Sequence, residues 1–296
     1  MNSSSLKILV CYYRDVYLRS ANPSYFNIQC GKDATGLDLN MLADNTGDNI
    51  SLRNRYWSEI TGLYWAWRNL EPADYVGLCS YRRFFNFRSV PGVPVCMVSP
   101  VKAYEIENID LTAATTLLSQ YDVIVPEPYV YAYSIRRVCS MNYMDRDFDL
   151  LEQVVHEISP EYDSAYNYVF YGSNKMIGHN MFIMPWDKFQ QFCSWVFDIL
   201  FRLESMIEPK GYPIHQVRVF GYMHEILLSV FIEHHNLKVY HSQITWISEN
   251  KNNFKFNNIL YRWAATCYYH ATRLLAGAKY QHKLNPVQSF RHIDRS

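Results

Sequence analysis

Two adjacent arginines, Arg82 and Arg83, follow a short apolar run in Asp74-Tyr-Val-Gly-Leu-Cys-Ser-Tyr-Arg-Arg-Phe-Phe85. Guanidinium forks match phosphate oxygens in pairs, and at the carboxyl end of a strand in an α/β sheet they lie in the crevice where ligands bind. The chemistry they suggest is capture of a diphosphate, with Tyr81 beside them. Earlier in the chain, Leu42-Ala-Asp-Asn-Thr-Gly-Asp-Asn-Ile-Ser51 gathers Asp44, Asp48, Asn49 and Ser51 ahead of a helix. That composition suits a ligand rich in hydroxyls, such as a ribose or a donor sugar. The same residue types equally make an Asx-turn array that caps the helix. Taken together, the two clusters point to a nucleotide sugar.

Moving such a sugar requires a clamp for the leaving diphosphate, a base for the acceptor hydroxyl if the anomeric carbon inverts, and groups that orient the sugar. Arg82 and Arg83 are the clamp. Glu225, in Arg218-Val-Phe-Gly-Tyr-Met-His-Glu225-Ile-Leu-Leu, is the candidate base: a carboxylate early on a helix can face a cleft while Leu227 and Leu228 pack inward. A helix carboxylate paired with Arg218 or His224 is the competing reading. His179 and Asn180, ahead of an apolar run, are candidates for acceptor hydroxyls, with Trp65 as an aromatic platform. No Asp-x-Asp stands at the strand end, where Ser80-Tyr81-Arg82 is found instead. The Asp145-Arg-Asp147-Phe-Asp149 run has that spacing but reads as a solvated helix face. The expectation is transfer without a bound metal, arginine replacing the cation, with Mn or Mg left open. No pair of carboxylates suggests a sugar hydrolase.

The elements that must position these groups alternate between short apolar strands and helical repeats. Lys7–Tyr13, Tyr75–Cys79, Tyr121–Pro126, Gly178–Met184, Leu237–Tyr240 and Ile244–Ile247 read as strands. Tyr56–Leu70, with Ser51 or Asn54 as cap, Ala113–Ser119, Phe148–Ile158, the stretch after Pro185 and Arg218–His234 read as helices. Residues 14–54 show little periodicity and read as a long connection, either functional or disordered, with the Gly31–Ser51 part read as functional. The predicted fold is α/β: one domain over 1–250 with a central, mostly parallel sheet flanked by helices. Residues 251–296 form a basic amphipathic extension. Its helix over 258–279 puts Leu260, Trp263, Cys267, Ala271, Leu274 and Ala278 on one face and Arg262 and Arg273 on the other. That face either docks on the core or lies on an anionic membrane surface.

The 28 Lys and Arg balance 28 Asp and Glu, so no global field draws the chain to nucleic acid. Seven dispersed cysteines without a C-x-x-C pair argue against a disulfide framework or structural zinc and for reduced cytosolic thiols. No apolar run reaches the roughly 18 to 20 residues a bilayer span needs, so the expected location is cytoplasmic, peripheral on the inner face of the plasma membrane. Aromatic residues make up 16% of the chain, an excess that leans towards carbohydrate.

Five ordered blocks, Asp44 to Ser51, Glu59 to Asn69, Asp74 to Phe85, Asn180 to Met184 and Arg218 to Tyr222, resemble the bacterial capsular and exopolysaccharide glycosyltransferase family long described only as a domain of unknown function. The resemblance runs from about Lys7 to Tyr240. It implies a GT-A-like fold and a nucleotide-sugar donor, a UDP-sugar, with UDP-galactofuranose the first to try. It also implies a polyprenyl-diphosphate-linked glycan as acceptor, in O-antigen, capsule or exopolysaccharide synthesis. The chain departs from the family in having Tyr13 and Ser80 where histidines are usual, and Ile226 where an arginine commonly follows the glutamate. These departures sustain a second expectation: a catalytically silent glycosyltransferase-like protein that binds nucleotide sugar or glycan and scaffolds an assembly complex.

Overall fold

The structure is a computed structural model and describes residues 5–15, 19–20, 22–87, 94–100, 102, 111–248 and 258–276. Its strands are β1 (Leu6–Tyr12), β2 (Tyr25–Gln29), β3 (Leu42–Ala43), β4 (Tyr75–Ser80), β5 (Arg83–Asn86), β6 (Val95–Val98), β7 (Val123–Pro126), β8 (Tyr129–Val130), β9 (Lys175–Met176), β10 (Phe182–Pro185) and β11 (Val239–Ile247). The helices are α1 (Lys32–Thr35), α2 (Asn54–Trp57), α3 (Ile60–Asn69), α4 (Thr112–Leu118), α5 (Ile135–Asn142), α6 (Asp145–Ile158), α7 (Asp163–Asn167), α8 (Trp186–Glu204), α9 (Val219–His234) and α10 (Ile259–Ala276).

Nine strands form one sheet in the order β10-β7-β11-β5-β4-β1-β2-β3, with β6 also on β11 and β10 also on β4; β8 and β9 pair separately. The β1–β2, β1–β4, β2–β3, β11–β6 and β11–β7 pairs are parallel, and the β10–β4, β10–β7, β11–β5 and β4–β5 pairs are antiparallel. The sheet is therefore mixed, with parallel pairing around β1 and β2 at one side and around β11 at the other.

Strands without alternation are the signature of a sheet covered on both faces. In β1, Leu9 and Cys11 pack into one buried cluster, while Ile8, Val10 and Tyr12 pack into the other. The first cluster is the larger and holds α3 and α5 to α9; α4 covers the opposite face through Ala114 and Leu118. In α8, Phe189, Phe192, Cys193, Val196, Phe197, Ile199, Leu200 and Leu203 are all buried, the three-and-four spacing that the sequence shows.

Several elements differ from the sequence reading. Residues 14–54 contain β2, α1 and β3; the apolar Tyr25 and Ile28 extend β1's sheet by parallel pairing. The helix expected over 56–70 is broken between α2 and α3 at Ser58, whose φ of 58° is left-handed. Neither Ser51 nor Asn54 caps it: Ser51 Oγ donates to Asp44 (2.6 Å), and Asn54 Nδ2 donates to Ser58 O (2.7 Å) and Thr61 Oγ1 (3.0 Å). The two strands expected at 237–247 are one, because Ser242 and Gln243 continue the ladder as β11 passes from β7 to β5 and β6. The Asp145–Asp149 run is solvated at Asp145, Arg146 and Asp149, as expected, but it also carries two structural contacts. Asp145 and Asp149 clasp the buried guanidinium of Arg136, and the buried Asp147 accepts from Tyr212 Oη (3.0 Å).

Helix α3 lies close against the ends of β1 and β2 because Gly62 faces them. A β-carbon there would come 2.6 Å from Cys30 Sγ and 3.3 Å from Cys11 Sγ. Gly62→Ala should therefore destabilise the protein by about 1–3 kcal/mol, the usual cost of overpacking, and Cys30→Ala in the same chain should recover much of the loss. Urea titrations of the two single variants and the double variant measure this coupling.

Candidate active site

The carboxyl edge of the sheet gathers side chains from segments far apart in sequence. β4 ends at Ser80, a two-residue turn follows, and β5 starts at Arg83, paired back to Ser80. Arg82 and Arg83 thus stand at a strand's carboxyl end, as their position in the chain predicts. Arg83 is opposite Trp246 in the β5–β11 register, and its guanidinium lies 4.4 Å from that ring's centre. Arg82 lies 5.8 Å from the same ring and 5.7 Å from Tyr81. The Arg83 Nε is buried with no hydrogen-bond partner. Burial, then Arg82, lowers the Arg83 pKa, while Tyr129, Glu59 and Glu225 act to raise it.

Glu225, on α9, and Glu59, at the break between α2 and α3, provide carboxylates on the same side. The two adjacent residues before β10 hold them: His179 N–H donates to Glu225 Oε1 (3.1 Å), and Asn180 Nδ2 donates to Glu59 Oε1 (3.0 Å). Both residues are left-handed, with φ of 74° and 53°, so the strand expected from Gly178 begins only at Phe182. This backbone costs energy in a non-glycine residue, and side-chain bonds hold it. Asn180 Oδ1 accepts from His224 Nδ1 (2.6 Å), its Nδ2 also reaches Gly221 O (3.3 Å), and His179 Nε2 pairs with Tyr129 Oη. Gly178 adds a steric requirement, since a β-carbon there would come 2.7 Å from the Tyr129 ring.

The protonation states follow from these surroundings. Burial, with Glu59 as the next cause, pushes Glu225 up to about 8, against Arg83, the His179 N–H and Arg218. Its side chain still keeps partial solvent contact, which fits a carboxyl on a cleft wall. Burial and the positive charges of Arg83 and Arg82 hold His179 well below the usual imidazole range, and burial takes His224 to about 3. Both rings are neutral near pH 7. His224 therefore carries its proton on Nδ1 to meet Asn180 Oδ1, which fixes the amide with its nitrogen towards Glu59.

Glu59 is the residue that sequence reasoning missed. It stands in the block Glu59 to Asn69, yet nothing in its neighbours Ser58 and Ile60 marks it as more than a helix carboxylate. Its setting is tertiary: Cys11 Sγ and Cys30 Sγ approach its carbonyl at 3.7 and 3.9 Å from the ends of β1 and β2. The carboxylate pair absent from the sequence reading is Glu59 with Glu225. Tyr129 and Trp246 were missed for the same reason.

The structure places Asp44, Asp48, Asn49 and Ser51 in a loop bonded within itself. Asp44 is fully buried and accepts from Gly31 N (2.8 Å), Lys32 N (3.2 Å) and Ser51 Oγ. Asp48 pairs with Arg68 (2.6 Å) and accepts from Tyr64 Oη (3.0 Å), and Asn49 Oδ1 accepts from Ser51 N (3.2 Å). The Asn49–Ser51 bond is that of the turn array the same residue types allow, while Asp44 and Asp48 tie the loop to Gly31–Lys32 and to α3. Trp65 is buried, its indole N–H on Thr46 Oγ1 (2.9 Å), so it braces that loop and turns its ring into the core. Tyr81 is buried and bonded to Tyr13 Oη (3.0 Å), one of the positions that departs from the family pattern. Ser80, the other, leaves its Oγ buried without a partner, and Ile226 is buried.

Among the described residues, no group of three or more His, Cys, Asp or Glu is placed to hold a metal ion. No described helix is long and apolar enough to cross a membrane.

A family model described as a domain of unknown function (DUF4422) matches residues 7–236. No curated protein matches the chain. Among solved structures, the chain is similar to the apo structure of the bifunctional glycosyltransferase WbbM, with 27% sequence identity and a TM-score of 0.71. The match covers 83% of this chain and 46% of that one, so the chain spans about half the length of the protein it resembles.

A carboxyl raised above its unfolded value binds its proton more tightly in the folded state, so the ionised group costs stability once pH exceeds the unfolded pKa. Glu225 should therefore weaken the fold as pH rises from about 4.5 towards about 8. Glu225→Gln keeps an acceptor for His179 N–H and removes the titration. Its melting temperature relative to the parent should rise across that window and level off above it, as read by scanning calorimetry in steps of pH.

Proposed function

Because the chain belongs to the family of the domain of unknown function DUF4422 and resembles part of a glycosyltransferase, we propose that it transfers one sugar from a nucleotide donor to a hydroxyl acceptor. One observation carries this reading: a half-buried arginine with a buried, unpartnered Nε–H, beside two carboxylates, at the carboxyl edge of the sheet. A buried donor without a partner is costly, and a diphosphate oxygen would satisfy it with a charge-assisted bond. The Tyr81 ring lies 5.7 Å from the Arg82 guanidinium and the Trp246 ring 4.4 Å from that of Arg83, cation–π contacts that help to hold both in place.

In the proposed reaction, the ionised Glu225 takes the proton of the acceptor hydroxyl as its oxygen attacks the anomeric carbon. The bond from that carbon to the diphosphate oxygen breaks, and the charge that develops on the leaving group falls to Arg82 and Arg83. Direct displacement inverts the anomeric carbon. Glu59, fixed through Asn180 and His224, orients sugar hydroxyls. Arginine takes the place of a cation in this scheme, and the Ser80-Tyr81-Arg82 sequence supports it because no carboxylate stands at that strand end. Asp44, Asp48, Asn49 and Ser51 shape the neighbouring loop on the donor side. The donor is a UDP-sugar, UDP-galactofuranose being the first to test. The acceptor is a glycan on a polyprenyl diphosphate, in O-antigen, capsule or exopolysaccharide synthesis.

Calorimetric titration with UDP, with manganese and again with EDTA, tests the clamp. Binding should survive EDTA and weaken at least tenfold in Arg83→Ala and in Arg82→Ala, the scale of a lost charge-assisted contact. Binding that requires manganese would refute the arginine-only clamp, and no binding under either condition would favour the silent scaffold. In turnover assays, Glu225→Gln should lower kcat by roughly 10²–10⁴-fold. The kcat/KM of the parent should rise with pH along a limb near 8, where Glu225 loses its proton, and that limb should vanish in the variant.

A further inference from the structure

Helix α10 sits on the protein by its less apolar edge. Arg262 Nη1 donates to Pro128 O (3.1 Å) and its Nη2 pairs with Glu127 (3.5 Å); Arg273 Nη1 donates to Gly172 O (2.8 Å); Ala265 and Tyr269 are buried between them. The stripe expected to pack inward faces out instead. Leu260, Trp263, Cys267, Ala271 and Leu274 are exposed, Trp263 to 69% and Leu274 to 89%, and Ile259 and Leu275 widen the patch. Single exposed apolar residues are ordinary, but a contiguous stripe along five turns of helix marks an interaction surface.

Charge says what that surface meets. Residues 251–296 contain eight Lys or Arg and one Asp, a net charge of +7, so in a neutral chain residues 1–250 carry −7. Within α10 itself there is no Asp or Glu. A helix with a Trp- and Leu-rich stripe, in a basic segment of an otherwise acidic protein, matches an anionic lipid surface in both respects. A second copy of this chain matches less well, since the segment would bring seven positive charges against seven more.

We propose that α10 lies in the plane of an anionic membrane, its Leu260–Trp263–Cys267–Leu274 stripe seated at the level of the headgroups and upper acyl chains. The physical argument is independent of the catalytic reading, but the two meet in the geometry. α10 packs beside β8, and Tyr129 of β8 bonds His179 in the candidate active site. A membrane-bound α10 would therefore hold β8, and with it Tyr129 of the candidate site, near the lipid surface.

The test is cosedimentation of the full chain with vesicles of phosphatidylcholine alone and of phosphatidylcholine with phosphatidylglycerol, beside the double variant Trp263→Glu/Leu274→Glu. Binding should occur to the anionic vesicles, weaken in high salt, and fall roughly 100-fold in the double variant, the scale of removing two large apolar anchors. Because both side chains are exposed, the variant should keep its melting temperature and its UDP binding. Absence of binding to anionic vesicles, binding unaffected by the double substitution, or a dimer in light scattering that the substitution dissolves would each overturn the proposal. UDP titration of the same samples separates this failure from failure of the catalytic reading.

Discussion

Both carboxylates of the candidate site depend on one strained turn, the consecutive left-handed residues His179 and Asn180. The backbone N–H of one fixes Glu225, and the side chain of the other fixes Glu59. A backbone N–H and the next residue's side chain thus each meet one of the two carboxylates, within a turn that leaves extended geometry. The strain is sustained from outside the turn by the buried His224 below and Tyr129 beside it. A proton on His224 Nδ1 is what this arrangement needs: the Nδ1–H occupies Asn180 Oδ1 and leaves only the amide nitrogen for Glu59. Loss of that ring would free the amide to rotate, and the carboxylate that it holds would be released with it.

The electrostatics follow from the same crowding. Glu225 and Glu59 share a partly desolvated edge with Arg83 and Arg218, and a carboxyl with another carboxylate nearby keeps its proton longer. The result is one group near the middle of the physiological range and, near it, a half-buried arginine whose Nε is buried without a partner. A proton acceptor facing an anion receptor over one cleft is what transfer to a hydroxyl with loss of a diphosphate requires.

How much of this was legible depends on whether the cause is local. The carboxyl-end placement of Arg82 and Arg83 followed from an apolar run and a charge pair, and the helix that carries Glu225 from its continuous apolar residues, so both placements were readable. The buried strands β1, β4 and β7 were readable because continuous apolar runs have few alternatives. Glu59 was not, since its role arises where the ends of β1 and β2 meet the α2–α3 break, over pairings that no window of sequence contains. Asp44, Asp48, Asn49 and Ser51 show the reverse limit: residue type alone serves a ligand and a turn equally, and only the hydrogen bonds reveal the turn. β2 and β3 escaped notice because short strands completed by parallel neighbours carry little signal of their own.

Helix α10 shows why amphipathic pattern gives a helix but not its orientation. The periodicity correctly separates an apolar face from an arginine edge, and burial energy alone would turn the apolar face inward. The surface beneath it is not apolar where the helix lands. It offers acceptors there: the Glu127 carboxylate, the carbonyl of Pro128 and that of Gly172, the last residue of a wide helical turn over Tyr168–Gly172. Carbonyls at a helix end lack partners within the helix, and arginine, with five donors on a fixed fork, is the side chain best able to satisfy them. Arg262 and Arg273 do so from positions eleven apart, three turns of helix, and that spacing sets the rotation of α10 about its axis. Once both bonds form, the apolar stripe has no way to reach the core. The outward face is thus a consequence of satisfied hydrogen bonds, and the same bonds hold it rigidly in place for whatever it meets.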